Sequence, residues 1–403
     1  MPTTMATLTS ILKEVYEPQI REQLNNDVVG LRRIEKTSEG VYHDNGGRGV
    51  FFPVHTKRNP GIGARTENEA LPTAGSQSAS RGQLSLKNLY GQLDFSGQVF
   101  ELAAGDPQAF VNMVDFDING IKVDLVKDLS RQLYGNGVGA VAVINDAATA
   151  STHAIKASPW LQDGMIVDVY TADGFTTQKA ASRTISYDPT NPLTVTFSGA
   201  TFATVVGDII VRTGNGPVSG TVRREITGLG AILASSGVLY GIDPAVDVIW
   251  KAFIDSNSGT LRSLSEGLMI NAVDTVRTRG SNVSVGLCNL GVRRAYFNLL
   301  SQQRKYTNTK DFGGGFSGLS FTTDQGDIPI VVDVDAPYNT LNFLTESQLK
   351  WYKQADFAFM DRDGSMFNRV PGFDRYQATL FSYVELGTHR RNAHAQIQDI
   401  TEG

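Results

Sequence analysis

The chain has 403 residues, a hydrophobic share of 41% and a formal net charge of −5, enough to bury a large core divided into two or three domains and too acidic for a dedicated nucleic-acid reader. No apolar run approaches the roughly 20 residues needed to cross a bilayer, and Met1 to Leu12 carries threonines where a signal peptide needs an apolar core. Cys288 is the only cysteine, which excludes an intrachain disulfide and points to a reducing, intracellular site of synthesis.

At the N-terminus, Thr9 or Ser10 can cap a helix whose apolar edge, Leu12, Val15, Tyr16, Ile20 and Leu24, is interrupted by Pro18. Too short to form a core alone, it reads as an arm laid on its own domain or on a neighbour. From Gly46 the period changes to two, with Val50, Phe52 and Val54 in a strand ending near Lys57. A second strand runs from Leu84 to Phe100, and its change of parity predicts a bulge near Lys87–Asn88. Asn59 to Gly82, between them, is rich in breakers, so the segment is a long hairpin with an irregular tip, too polar to be ordered without a partner. Lys57, Arg58, Arg65, Arg81 and Lys87 against Glu67 and Glu69 make Lys57 to Lys87 locally basic.

Asp106 to Gly135 has the longest continuous helical period. Asp106 is the cap, Pro107 takes the first helical position, and Gly135 with Asn136 supplies a left-handed stop. Phe110, Val114, Ile118, Ile121, Leu125, Leu129 and Leu133 form one apolar stripe. The other face carries Asp115, Lys122, Asp124, Lys127, Asp128 and Arg131. Such a helix spans roughly 40 Å and serves as a backbone for sheets or as the centre of a bundle.

Ala140 to Gly216 changes to short Val/Ile/Thr strands with turn signals at Asp173-Gly174, Asp188-Pro189 and Asn191-Pro192, which predicts a small inserted antiparallel barrel or sandwich. Within it GMIVDVY from Gly164 and GDIIVRTG from Gly207 look alike. From Thr221 the texture is mixed α/β, with helices over Ser265–Arg279 and Asn289–Arg304 and strands at Ile328–Val334 and Leu341–Leu344. Tyr376–Leu386 and Asn392–Ile400 read as two strands joined by GTHRR.

No catalytic or metal constellation accompanies these elements. The five histidines, His43, His55, His153, His389 and His394, sit in no nucleophile or zinc signature. Asp361-Arg362-Asp363-Gly364 lacks the remaining ligands of a calcium loop and reads as a turn, and Gly313-Gly314-Gly315 lacks the Gly-Lys-Ser/Thr of a phosphate loop. Cys288 reads as an inert buried thiol, and Arg293-Arg294 and Arg390-Arg391 as solvent-facing or subunit-contact charges. The chain is expected not to be an enzyme and to need neither cofactor nor metal.

Arm, long hairpin, long helix, mixed α/β region and terminal strands, in that order, resemble the major capsid proteins of tailed bacteriophages of the siphophage type, with the Hong Kong 97-type fold. RNPGIGARTENEALPTAG (Arg58 to Gly75), the helix from Asp106 to Gly137, GVRRAYFNLL (Gly291 to Leu300), GDIPIVVDVDAP (Gly326 to Pro337), LKWYKQADFAFMDRDGS (Leu349 to Ser365) and ELGTHRRNAHAQIQDI carry the resemblance, which spans nearly everything but the β insertion. It implies an α+β fold with an N-terminal arm (1–45), an extended loop (46–100), the spine helix of a peripheral domain (101–139), an inserted β domain (140–216), an axial domain (217–345) and peripheral strands with the C-terminus (346–403). It also implies hexamers and pentamers in an icosahedral shell assembled in the host cytoplasm around double-stranded DNA. The implied partners are the chain itself, a portal, a decoration protein and a scaffolding protein that the starting methionine suggests is separate. No lysine–asparagine pair is identified for cross-linking. The basic hairpin is expected to dock on an acidic part of a neighbour, with Arg58, Arg65 and Arg81 facing Asp115, Asp124 and Asp128 of the spine helix. The rival readings are an encapsulin-type compartment shell and, from the β insertion alone, a carbohydrate-binding or adhesin protein.

Overall fold

The computed structural model describes residues 28–37, 49–98, 107–172, 177–216, 223–304, 319–324, 326–361 and 367–403, without the side chains of 107–115, 301–304 and 356. The expected arm helix, the Asp106 cap, the Asp115 side chain, the Gly313 run and residues 362–364 lie outside the described residues. In chain order the N-terminal part contains α1 (Val29–Arg33), β1 (Glu35–Thr37), β2 (Gly49–Lys57), β3 (Ser78–Ser85), β4 (Lys87–Ser96) and the 28-residue α2 (Pro107–Tyr134). The inserted unit follows as β5 (Ala140–Val143), β6 (Thr149–Ala150), β7 (Thr152–Ala154), β8 (Ile166–Tyr170), β9 (Gln178–Ser186), β10 (Thr194–Phe197), β11 (Phe202–Ala203) and β12 (Ile209–Arg212). Next come α3 (Leu229–Ile232), β13 (Phe253–Asp255), α4 (Glu266–Thr278), β14 (Val285–Cys288), α5 (Leu290–Arg304), β15 (Leu319–Thr323), β16 (Gly326–Val332) and β17 (Leu341–Leu344). The chain closes with β18 (Leu349–Phe359), β19 (Asn368–Arg369), β20 (Arg375–Thr388) and β21 (Ala395–Ile397).

The long helix lies on a sheet, not in a bundle. Strand β20 pairs with β18 and β19, and with β4 from Arg375↔Ser96 to Val384↔Lys87. Helix α2 crosses β4 at Gly91, where an added Cβ would come within 3.0 Å of the Ile121 side chain. The one-stripe expectation fails at the C-terminal end of the helix, where every residue from Leu129 to Tyr134 is buried. The segment after the insertion returns over the polar face there. Ile226 N donates to Gln132 Oε1 at 3.2 Å and Gly230 N to Gly135 O at 3.0 Å. A Cβ on Gly228 would collide with the Gln132 and Leu133 carbonyl oxygens, so the approach requires glycine. This segment also supplies a donor to the orphan carbonyls of the helix end. The left-handed residues therefore come later than expected, at Gly137 (φ 82) and Gly139 (φ 86), not at Gly135.

The change of parity near Lys87 is a change of sheet, not a bulge. Strand β3 pairs with β2 as the hairpin, and after Leu86 the chain enters β4 beside β20. The inserted unit is antiparallel throughout, ordered β5-β12-β8-β9-β10-β7 with a separate β6-β11 pair, around Ile144, Val167, Ile185 and Phe197. Its two look-alike fragments are neighbours, Ile209 to Arg212 pairing with Tyr170 to Val167.

The remaining sheet, β13-β21-β17-β14-β16-β15, is mixed and shares a core with α4 and α5 through Met269, Val276, Val292, Phe343 and Ile397. Both helices start where side chains cap them: Leu268 N donates to Ser265 Oγ at 3.4 Å, and Val292 N to Asn289 Oδ1 at 2.9 Å. Strand β21 belongs to this sheet, so GTHRR carries the chain between sheets, and the expected grouping of 346–403 with the peripheral strands stops short of the C-terminus.

Candidate assembly surfaces

Of the hairpin, the root is fastened to the body and the tip stands off it. At the root Leu84 is 1% exposed, Gln83 N donates to Tyr240 O at 2.8 Å, and the Phe52 ring meets Tyr240 edge-on with centroids 6.0 Å apart. Beyond the Lys57–Ser78 pair the tip's own groups bond to one another. Gly61 N donates to Asn59 Oδ1 at 2.7 Å, and Arg65 donates to the carbonyls of Ala64 and Ala70 at 2.9 and 2.8 Å. Thr66 N donates to Glu69 Oε2 at 2.9 Å, and this amide lowers the Glu69 pKa. Among the side chains the tip leaves exposed are two large apolar ones, Ile62 at 83% and Leu71 at 85%.

The expected contact residues divide by environment. Arg58, Arg65 and Arg81 are all exposed; Arg65 braces the tip, and Arg81 stacks over the Phe51 ring at 4.0 Å. On α2, Asp124 is exposed and Asp115 lies outside the described side chains. Asp128 does not fit the expectation of a solvent-facing partner, because its own chain uses it. It pairs with Arg131 at 3.0 Å and Arg212 at 3.1 Å, and Gln132 Nε2 donates to it at 2.7 Å. Burial pushes its carboxyl up, but the two guanidinium groups outweigh burial and hold it below the usual range. Arg131 also pairs with Glu225 at 2.5 Å, so the polar face of the helix end is an internal joint to the returning segment.

One further arginine expected to face solvent or a subunit contact is interior. Arg391 is 1% exposed and donates to the carbonyls of Ala231, Ile232, Ser236 and Gly237 at 2.9–3.1 Å. His394 is fully buried, accepts from Thr345 N at 3.3 Å, and is pushed by burial down to about 3. Burial raises the Cys288 thiol to about 12, which makes it inert. Among the described residues no group of three or more metal-ligating side chains converges, and no helix is long and apolar enough to cross a membrane.

Sequence reading missed the segment Asp243–Ile249. It makes two successive turns, with Asp247 N donating to Asp243 O at 2.9 Å and Trp250 N to Asp247 O at 2.8 Å. It exposes Val246 (69%), Val248 (65%) and Ile249 (49%). An apolar run with neither a helical nor a strand period was the available signal.

Residues 209–401 match a family model described as SU10 major capsid protein. No curated protein is similar to the chain. Among solved structures, the cyanophage A-1(L) capsid asymmetric unit aligns with a TM-score of 0.61 at 14% identity, covering 99% of this chain and 100% of that one. A Mycobacterium phage Bobi structure aligns with a TM-score of 0.46 at 9% identity over 99% of both chains. The capsid of an empty GTA particle aligns with a TM-score of 0.48 at 10% identity over 94% of this chain and 99% of that one. The chain thus matches the major capsid family model over residues 209–401 and shares, along nearly all of its length, the fold of the cyanophage capsid, the Hong Kong 97-type fold.

Proposed function

We propose that copies of this chain form the hexamers and pentamers of an icosahedral shell that encloses double-stranded DNA, each hairpin docking on a neighbouring copy. The observation that carries this reading is the hairpin, fastened at its root yet presenting Ile62 and Leu71 to solvent at the other end. Burying such a tip on another copy contributes affinity, while its bases set register and the rate of encounter. A separate scaffolding protein, a portal and a decoration protein complete the assembly, which is built in the host cytoplasm. The net charge of −5 suits a wall that touches packaged DNA non-specifically. The encapsulin-type alternative is not favoured, since the matching family model is that of a major capsid protein.

Electron microscopy of particles from the native source, with their 260/280 nm absorbance ratio, tests the reading; empty particles with a pure-protein ratio at every stage would overturn the DNA-enclosing role. Hairpin docking is tested by Arg58→Glu with Arg81→Glu. Each exposed ion pair contributes only about 0–1 kcal/mol, so the expected result is slower or fewer shells with unchanged circular dichroism. Normal shells would reject the role of these charges.

A further inference from the structure

The turn segment Asp243–Ile249 flanks the root half of the hairpin, with Ser80 Oγ donating to Asp247 Oδ2 at 2.5 Å. Together with Val238 (64% exposed) it forms an apolar knuckle of four aliphatic side chains facing solvent. Two buried groups hold it rigid from below. Trp250, 2% exposed, ends the second turn inside the core, and Arg391 ties down the carbonyls of residues 231, 232, 236 and 237 that lead into it. A preorganised loop that keeps its aliphatic side chains in water, although its own core lies directly beneath, has the character of a docking surface.

We propose that this knuckle seats the hairpin tip of a second copy of the chain. The inference rests on the hairpin-docking reading and names its acceptor, which differs from the spine helix expected from the sequence. Two complementarities select this occupant. The exposed Ile62 and Leu71 of the tip match the exposed Val238, Val246, Val248 and Ile249 of the knuckle. Lys57 and Arg58, exposed bases where the tip leaves the ladder, match Asp243 and Asp247, because residues 236–249 contain two acids and no Lys or Arg.

The tip that sits on a knuckle must belong to another copy. Within one copy the aliphatic side chains of tip and knuckle are all exposed, so a copy's own tip does not cover its own knuckle. Tip-to-knuckle contact is therefore head-to-tail, the arrangement that propagates into rings when the rotation closes.

Cysteine pairing tests the geometry in the full-length protein, and the native Cys288 does not interfere because it is buried. Copies bearing Ile62→Cys or Leu71→Cys are co-assembled with copies bearing Val246→Cys and oxidised. A disulfide-linked dimer is expected on a non-reducing gel only when tip and knuckle cysteines are both present. Shells that form without such dimers, with Ile249→Cys tried in the same way, overturn the assignment of the acceptor. A second arm does not depend on cysteine. Val246→Asp with Val248→Asp, both at exposed positions, should lower shell yield at least tenfold with an unchanged circular dichroism melt, and a normal yield overturns the proposal. Replacing Ile62–Leu71 by two glycines separates the two readings, because normal shells from that variant would reject hairpin docking itself.

Discussion

Glu385 offers a test of how the segment returning from the insertion is held on the long strands. It lies on β20 opposite Tyr352 of β18, is 1% exposed, and accepts hydrogen bonds from Thr227 N at 2.6 Å and Leu386 N at 3.1 Å. Burial raises its carboxyl to about 8, against the opposing effects of Lys87 and the two amides. The unfolded carboxyl loses its proton near the ordinary value of 4.5, so between that pH and about 8 the folded chain binds more protons than the unfolded one. Stability is therefore full below pH 4.5 and declines as pH rises to about 8. At about 1.36 kcal/mol per tenfold change in binding, the total loss is at most on the order of 5 kcal/mol. Glu385→Gln keeps an oxygen for the two amides and removes the ionisation. Subunits carrying it should match the parent near pH 5 in urea unfolding followed by circular dichroism, and exceed it by a few kcal/mol near pH 8.5 (~1.36 kcal/mol per pH unit). A variant less stable at both pH values, with the parent's decline intact, would mean that an ionised carboxylate is required beside Lys87, and would refute the reasoning.

His394 acts at the acid end: its folded form stays neutral down to about 3 while the unfolded ring takes a proton below 6.5, so stability present above pH 6.5 is lost as pH falls. Its imidazole signals in nuclear magnetic resonance should stay unshifted down to pH 4. Leu129→Ala, at a position 4% exposed, should cost about 2–5 kcal/mol, and the half-buried Leu125 less; a thermal melt showing no loss at Leu129 would place that face in solvent. Replacing Ser151–Arg212 by a short Gly/Ser linker should leave a chain that folds by circular dichroism, at the cost of the Trp160–Asp335 hydrogen bond and the Arg212–Asp128 pair. Asp333→Asn should lower the denaturation midpoint, by about 1–3 kcal/mol in stability, because a nitrogen replaces an oxygen that accepts two hydrogen bonds.

Periodic elements were legible and joints were not. The spine helix, the two capped helices beginning at Glu266 and Leu290, and the strands at Gly326 and Leu341 each repeat an apolar period or carry a local cap, so a short window contains the information. The sheet to which a strand belongs is a long-range property. The parity change at Lys87 was visible as a pattern, but only the partner, β20 some 290 residues later, distinguishes a bulge from a change of sheet. Arg131 and Arg391 misled for the same reason. An arginine on a polar helix face or in a loop reads as solvent-facing until the carboxylate or carbonyls that surround it are known. The knuckle escaped because sequence reading weighs period and motif, and exposed aliphatic residues in turns have neither.

The units meet through a shared apolar core and through directional polar bonds. Gly30 N and Tyr134 OH converge on Asp333 Oδ2 at 2.7 and 2.8 Å, linking the N-terminal segment, the spine helix and the end of β16. Two residues along the chain, Lys127 Nζ reaches Asp335 Oδ2 at 2.9 Å, and Trp160 of the inserted unit donates to the Asp335 carbonyl at 2.9 Å. Apolar burial is non-directional and scales with area, so it holds two layers together while leaving their angle soft. A hydrogen bond of this length weakens steeply as it is misaligned, so a set of them fixes orientation. A wall that closes from repeated copies of one subunit accumulates any angular error from contact to contact. Directional bonds at the joints limit that error at its source. That account also explains why Asp333, one carboxylate, receives donors from two different elements: Asp333→Asn should disturb the uniformity of assembled shells more than its modest effect on subunit stability would suggest.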